Sequence, residues 1–364
     1  MSLNKTVYIL LVTISGLFFS CEPGEDGQDQ FDRKALLENL SGLINDSYSA
    51  FHQNTIELEA KSEAFVASPD EAKLTELKDA FKQSYLAWEA CEVYEFGPAE
   101  GVMLRMELNT FPADAAGINS AIESGGNFDA AFMTALSAPK KGYPAIDYLL
   151  FNSSSEEVVN SFINETKRKE YLAALVTYIK TLAETVKSDW ADSYQEEFIN
   201  NAGTDAGSSL GQLVNQMNYH LEIVINQKIG IPAGKRTPGV NFPEKVEAYY
   251  SGYSVDLASV NLETLENIYL GNSQGQNGVG IDDYLDYLKA QDNDMSLNAS
   301  IKEKLDNAQV SVSNISPELS EAIKSNVALP NKAYDDLKTL LIRFKNDMPS
   351  AMGILITYSD EDGD

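Results

Sequence analysis

Chemistry in this chain could begin at two carboxylates that continue an aromatic stripe. Phe81, Tyr85, Trp88, Glu92 and Glu95 are spaced four, three, four and three residues apart, which predicts one face of one helix. The rings belong in a core. Glu92 and Glu95 are then either partly buried or aimed into a cleft where Gly97-Pro98 ends the helix. A buried carboxylate needs a cation or several hydrogen-bond donors. Arg105 is the sole basic residue between Lys82 and Lys140 and lies in an apolar run, so it is the natural partner. Such a pair reads either as a structural brace for the loop or as part of a ligand-binding constellation. Further on, Gly-Tyr-Pro-Ala-Ile-Asp-Tyr-Leu-Leu-Phe at 142–151 predicts a short helix starting at Pro144. Tyr143 and Asp147 are its candidate ligand contacts; Asp147 equally suits a capping or hydrogen-bonded structural role.

Metal chemistry of the usual nitrogen-rich kind has little to work with. The chain has two histidines. His52 sits among polar residues and is expected at the surface, while His220 borders an apolar stripe. His220 and Glu222 are each candidate contacts, but two residues apart on a helix they face nearly opposite ways and form no metal pair. His-Glu-x-x-His is absent, which argues against a three-ligand catalytic zinc site. An oxygen-rich set of Glu92, Glu95 and Asp147 for iron or calcium is the remaining possibility. Cys91 would need a base to act as a nucleophile and reads as a buried thiol. The glycine-rich stretch 271–280 lacks Gly-Lys-Ser/Thr, so it is no phosphate-binding loop. Residues 360–364 open like a calcium loop but stop before its twelfth position, and read as a solvated tail.

The elements that must hold these residues are helices. Leu172, Leu175, Ile179, Leu182, Val186 and Trp190 form one stripe at spacings of three and four. Comparable stripes run from Leu210 to Ile225, from Leu297 to Val312 and from Tyr334 to Phe344. Ser68-Pro69-Asp70-Glu71 predicts a helix start with Ser68 as cap and Glu71 closing a capping box, the helix running to about Phe96. Strand signals are sparse. The fold class is all-α: two helical-bundle domains, with Ser316-Pro317-Glu318 hinting at an internal repeat of the earlier helix start. The seam is placed in the polar, glycine-containing stretch 200–207, and irregular stretches are expected at 228–243 and 271–280.

The N-terminal residues carry Lys5, an apolar run from Val7 to Phe19, and Ser20-Cys21, the pattern of a lipoprotein signal peptide. The run is short for a membrane span, which needs about 20 residues. Cleavage would leave Cys21 as the lipidated end. The organisation expected is a signal at 1–20, an acidic tether at 21–30, an N-terminal bundle at 31–200 and a C-terminal bundle at 201–364. The tether resembles export signals that carry bacterial lipoproteins to the cell surface. An outer-membrane lipoprotein, on the periplasmic face or the surface, is therefore expected, with the membrane as partner through its lipid. The net charge of −28 repels nucleic acid and anionic headgroups.

The blocks at 88–98, 108–114 and 142–151, in that order, resemble the imelysin family of bacterial envelope proteins, first described as insulin-cleaving peptidases. Further similar blocks lie at 228–235, 243–254 and 356–364. The family's best-known motif is Gly-x-His-x-x-Glu; here Pro144 stands where the histidine belongs and Asp147 where the glutamate belongs. The resemblance implies a site at the junction of two helical bundles, in a family tied to peptidase activity and iron uptake. With proline unable to ligate, the expectation is a non-catalytic, envelope-anchored protein that binds a small ligand or a metal, iron or another divalent cation, and serves iron or other nutrient uptake. A carboxylate-dependent metallopeptidase is the alternative, and a surface scaffold with an envelope protein partner is a second one.

Overall fold

Apolar stripes become helices wherever the sequence repeats them, and caps decide where each one starts. In the computed structural model the described residues are 30–273 and 275–358. Cys21, with the signal and tether, and the acidic tail 360–364 lie outside them. Helix α1, Arg33–Ala67, begins at Asp32, whose carboxylate accepts the Ala35 amide at 3.0 Å. It buries Leu36, Leu40, Ile44, Phe51, Leu58 and Phe65. Helix α2 spans Glu71–Glu89. Its cap is Asp70, which accepts from the Lys73 amide at 2.8 Å, and Ser68 instead closes α1. This corrects the predicted cap: Pro69 keeps the chain extended for one residue more, and the charged carboxylate also meets the positive end of the helix dipole.

Helix α2 also stops seven residues short of the predicted end at Phe96. After Glu89 the chain turns, with the Cys91 amide donating to Trp88 O at 2.7 Å and the Tyr94 amide to Cys91 O at 2.9 Å. The turn is worth making because it packs Val93, Tyr94 and Phe96 into the core. Glu92 and Glu95 therefore do not continue the face of Phe81, Tyr85 and Trp88.

The rest of the first half includes α3 (Leu104–Leu108), α4 (Ala115–Ser124), α5 (Gly142–Phe151), α6 (Ser155–Asn164) and α7 (Thr166–Asp189). α1 packs along both α2 and α7. Gly142 opens α5 at φ +70°, and a Cβ there would come 2.1 Å from Leu108 O. Only glycine lets α5 start against the end of α3. The second half is built on α8 (Ser209–Ile223), α9 (Ser254–Leu270), α10 (Leu297–Ser313) and α11 (Ala328–Ile342), with α10 packed on α9 and α11. The two sets of helices meet where α9 lies against α2. Together they belong to one compact unit, Asp32–Asp364. Ser316-Pro317-Glu318 leads only into the short helix Leu319–Ser325, where its counterpart leads into 19-residue α2.

The fold is all-α. Among the described residues the strands are two tiny antiparallel hairpins, one of them inside the stretch 271–280. The stretch from Lys228, predicted to be irregular, is helical at its start. α8 continues as a π-helix over Val224–Gly230, a wider turn that rotates Lys228 into the protein.

Candidate functional site

Three separate segments of the chain deliver charge to one sealed point. Glu89 is the last residue of α2, Glu92 sits in the turn after it, Lys228 in the π-helix, and Glu247 in the turns before α9. The Lys228 ammonium lies 2.5 Å from Glu89 Oε2, 2.8 Å from Glu92 Oε2 and 3.1 Å from Glu247 Oε2, and donates to Asn261 Oδ1 at 2.9 Å. All four charged side chains are at most 2 % exposed. Amides complete the cage. Asn109 Nδ2 donates to Glu247 Oε1 at 2.6 Å and Glu89 Oε1 at 3.2 Å, Asn261 Nδ2 donates to Glu89 Oε2 at 2.7 Å, and Tyr85 OH donates to Asn109 Oδ1 at 2.7 Å.

Three carboxylates around one ammonium do not balance, and their titration reflects it. Burial alone would raise Glu92, but the charges of Lys228 and Arg105 outweigh it and hold this carboxyl at about 2. Burial pushes Glu89 well above the usual carboxylate range, with the Glu247 charge adding to it, and Glu247 is likewise raised. Glu89 and Glu247, whose Oε1 atoms Asn109 bridges, are thus harder to ionise than Glu92. Burial by itself would lower Lys228, yet Glu247, Glu89 and Glu92 keep it charged, above its ordinary value.

Arg105 does meet Glu92, through a longer contact than the lysine makes. Its Nε is 3.6 Å from Glu92 Oε1, its Nη2 donates to Glu92 O at 2.7 Å, and its guanidinium lies 5.4 Å above the Tyr219 ring. Glu95 turns the other way and accepts the Arg105 amide at 3.1 Å. Burial raises this carboxyl to about 7 against the pull of Arg105. Glu95, Arg105, Asn109, Tyr219 and Gln227 line a cavity of about 360 Å³, with Phe111 as one wall. Phe111 also lines a second cavity, about 240 Å³, together with Pro144, Asp147, Glu244, Tyr249 and Tyr250. Two pockets therefore share one ring, the first reaching the charged cage through Asn109.

Asp147 is committed elsewhere. Its two oxygens accept the amides of Tyr250 at 2.9 Å and Ser251 at 3.0 Å, fixing the turn that carries Glu247. Burial raises it to about 6 despite those donors. Tyr143 is fully buried, stacked on Tyr85 at 4.5 Å and bonded to Ser84, and lines neither cavity beside Phe111. His220 is fully buried, with Nδ1 3.8 Å from Glu92 Oε2, and burial lowers it to about 3, leaving it neutral. Glu222 points away, bonded to Lys345 Nζ and Tyr358 OH at 2.8 Å each, where it ties down the C-terminal segment. His52 is half-buried on α1, and the Cys91 thiol is buried and shifted upward by burial.

The oxygen-rich metal set predicted from Glu92, Glu95 and Asp147 does not assemble. Glu92 faces the lysine, Glu95 a backbone amide and Asp147 a turn. Among the described residues no three His, Cys, Asp or Glu side chains are grouped to hold an ion. The cage where carboxylates do converge already has a cation at its centre. Neither iron nor another divalent ion fits this donor set as it stands. Lys228, Glu89, Glu247, Asn109 and Asn261 escaped the sequence reading. The available signal was a lone lysine in the apolar run 223–233, and Glu89 four residues after Tyr85.

An all-α unit with buried carboxylates at the meeting of two helix sets, and Pro144 and Asp147 on a cavity beside them, defines the class. The chain belongs to the imelysin family, whose model matches residues 44–343. It is 22 % identical over 333 residues to iron-regulated protein A of Synechococcus elongatus, covering 87 % of this chain and 83 % of that protein. Among solved structures it is similar to one named as an iron-regulated protein A precursor from Parabacteroides distasonis, with TM-score 0.73 and 16 % identity over 88 % of this chain and 95 % of that one. An imelysin-like protein from Psychrobacter arcticum gives TM-score 0.70 and 16 % identity over 90 % and 97 %. These two structures share the fold.

Proposed function

We propose that this chain is a non-catalytic binding protein of the bacterial cell envelope, tethered through a lipid on Cys21, that takes its ligand in the two cavities beside Phe111. The observation that carries this reading is the ammonium of Lys228 at the centre of Glu89, Glu92 and Glu247. Carboxylates held by a lysine are not available to ligate a metal ion that would polarise a carbonyl or activate water. Pro144, which lines the cavity where the family's motif has histidine, offers no proton relay or ligand. What the cavities do offer is recognition: Arg105 and Tyr219 in one, Tyr249 and Tyr250 in the other.

The names of the relatives support a link to iron. Iron reaching these cavities would arrive inside a ligand that keeps its own donor atoms, since the carboxylates of Glu89, Glu92, Glu247 and Asp147 are already engaged. No helix among the described residues is long and apolar enough to cross a membrane, which is compatible with attachment through the lipid. The test is an incubation of the purified protein with unfolded casein, with and without chelator. No cleavage above a buffer control is expected. Cleavage that chelator abolishes and Glu92→Gln removes would establish the peptidase alternative in its place.

A further inference from the structure

A larger cleft, about 600 Å³, lies away from the charged cage, between α4, α5, α6 and the start of α7. Its size is that of an ordinary small-ligand site. Its lining is unlike the cavities beside Phe111. Ile122 is the one aliphatic side chain in it; the rest are amides, hydroxyls, charged groups and the ring of Tyr148.

The basic groups in the wall are already engaged. Arg168 Nε donates to Glu165 Oε2 at 3.0 Å, and Lys167 Nζ to Glu170 Oε2 at 2.7 Å and Gly126 O at 3.2 Å. Glu123 adds a further negative group at an exposed position. Nothing here selects an anion, and the chain's net charge of −28 opposes one. The polar wall is also rigid. Asn119 Nδ2 donates to Tyr148 OH at 2.7 Å, Asn119 Oδ1 accepts from Arg168 Nη2 at 3.5 Å, and the Tyr250 ring props Tyr148 edge-on at 5.2 Å. Exposed Asn152 and Ser153 complete one end with groups that donate and accept alike.

A fixed aromatic ring beside planar amides, with paired basic groups and apolar surface that comes from Ile122, the Tyr148 ring and side-chain stems, suits a neutral polyhydroxylated ligand. Such a ligand lays its C–H face on the ring and exchanges hydrogen bonds both ways with amides and hydroxyls. A peptide is less well served: an extended one seeks a free sheet edge and an amphipathic helix seeks an apolar groove, and this cleft is neither. We infer that the cleft beside Tyr148 is a carbohydrate-binding site for neutral glycan chains, separate from the cavities beside Phe111.

The test is calorimetric titration of the full chain with maltohexaose, cellohexaose, xylohexaose and chitohexaose. At least one is expected to bind at one equivalent and to lose about tenfold in affinity on Tyr148→Ala and on Asn152→Ala. Asn152 is exposed, so its variant keeps the fold, which an unchanged melting temperature verifies. The inference is overturned if none of the four sugars binds, or if binding ignores both substitutions. Sugar binding lost on Phe111→Ala alone would also overturn it, by moving the site to the other cavities. So would a casein digest that binds in place of the sugars and is weakened by the same two substitutions.

Discussion

A single lysine decides what the carboxylates of this site can do. Removing one member of a buried charge set leaves the others uncompensated, at a cost of about 3–5 kcal/mol. Lys228→Met is therefore expected to lower the melting temperature by about 5 °C, measured by calorimetry at neutral pH. Glu95 gives a pH signature of opposite origin. Its folded value of about 7 lies above the ordinary carboxylate value, so the folded state holds the extra proton and Glu95 contributes stability at low pH. That contribution is complete below about pH 4.5 and is lost as pH rises through 7. Glu95→Gln is expected to flatten stability across that window, as read from melting temperatures at pH 4.5 and 7.5. An unchanged slope would refute the burial argument. Glu92 and Arg105 were legible as partners because their types and rarity in the sequence demanded pairing. Lys228 was not, since 136 residues separate it from Glu92 and only the folded chain joins them.

At the level of elements, helices were legible because a stripe reports burial directly: Leu172, Leu175, Ile179 and Val186 are all buried as their spacing requires. Helix ends were harder. The extension of α2 to Phe96 was a reasonable reading of periodicity, but tertiary packing of Val93, Tyr94 and Phe96 favours a turn that no local signal announces. The same holds for the end of the π-helix, residues 228–230, which looks in sequence like the start of a loop. α5 is the element most dependent on one residue. Gly142→Ala places a Cβ against Leu108 O and forces a left-handed φ on alanine. The cost is expected to be about 2 kcal/mol or more, seen in urea unfolding. Because Leu108 precedes Asn109, the variant should disturb the bridge between Glu89 and Glu247 as well.

Across the whole molecule, the order of imelysin-like blocks was legible although each is weak, because they span the chain. Their meeting point was only partly so: Asp147 supports the turn that carries Glu247, and it was the backbone beyond that turn which linked the motif to the cage. The lipid reading belongs to this scale too. In a bacterial host, the full chain is expected to partition into detergent and to incorporate labelled palmitate, and Cys21→Ser should abolish both. Palmitate incorporation that survives the substitution would remove the envelope tether from the account.

The ammonium of Lys228 stands where a metal ion would have to stand. Calorimetric titration of metal-stripped protein with manganese, comparing the native chain with Lys228→Ala, tests it most directly. No stoichiometric binding is predicted for the native chain, and a new single site for the variant, whose three carboxylates and Asn261 carbonyl would be left without their cation. One equivalent of manganese bound by the native chain, and lost on Glu92→Gln, would contradict it.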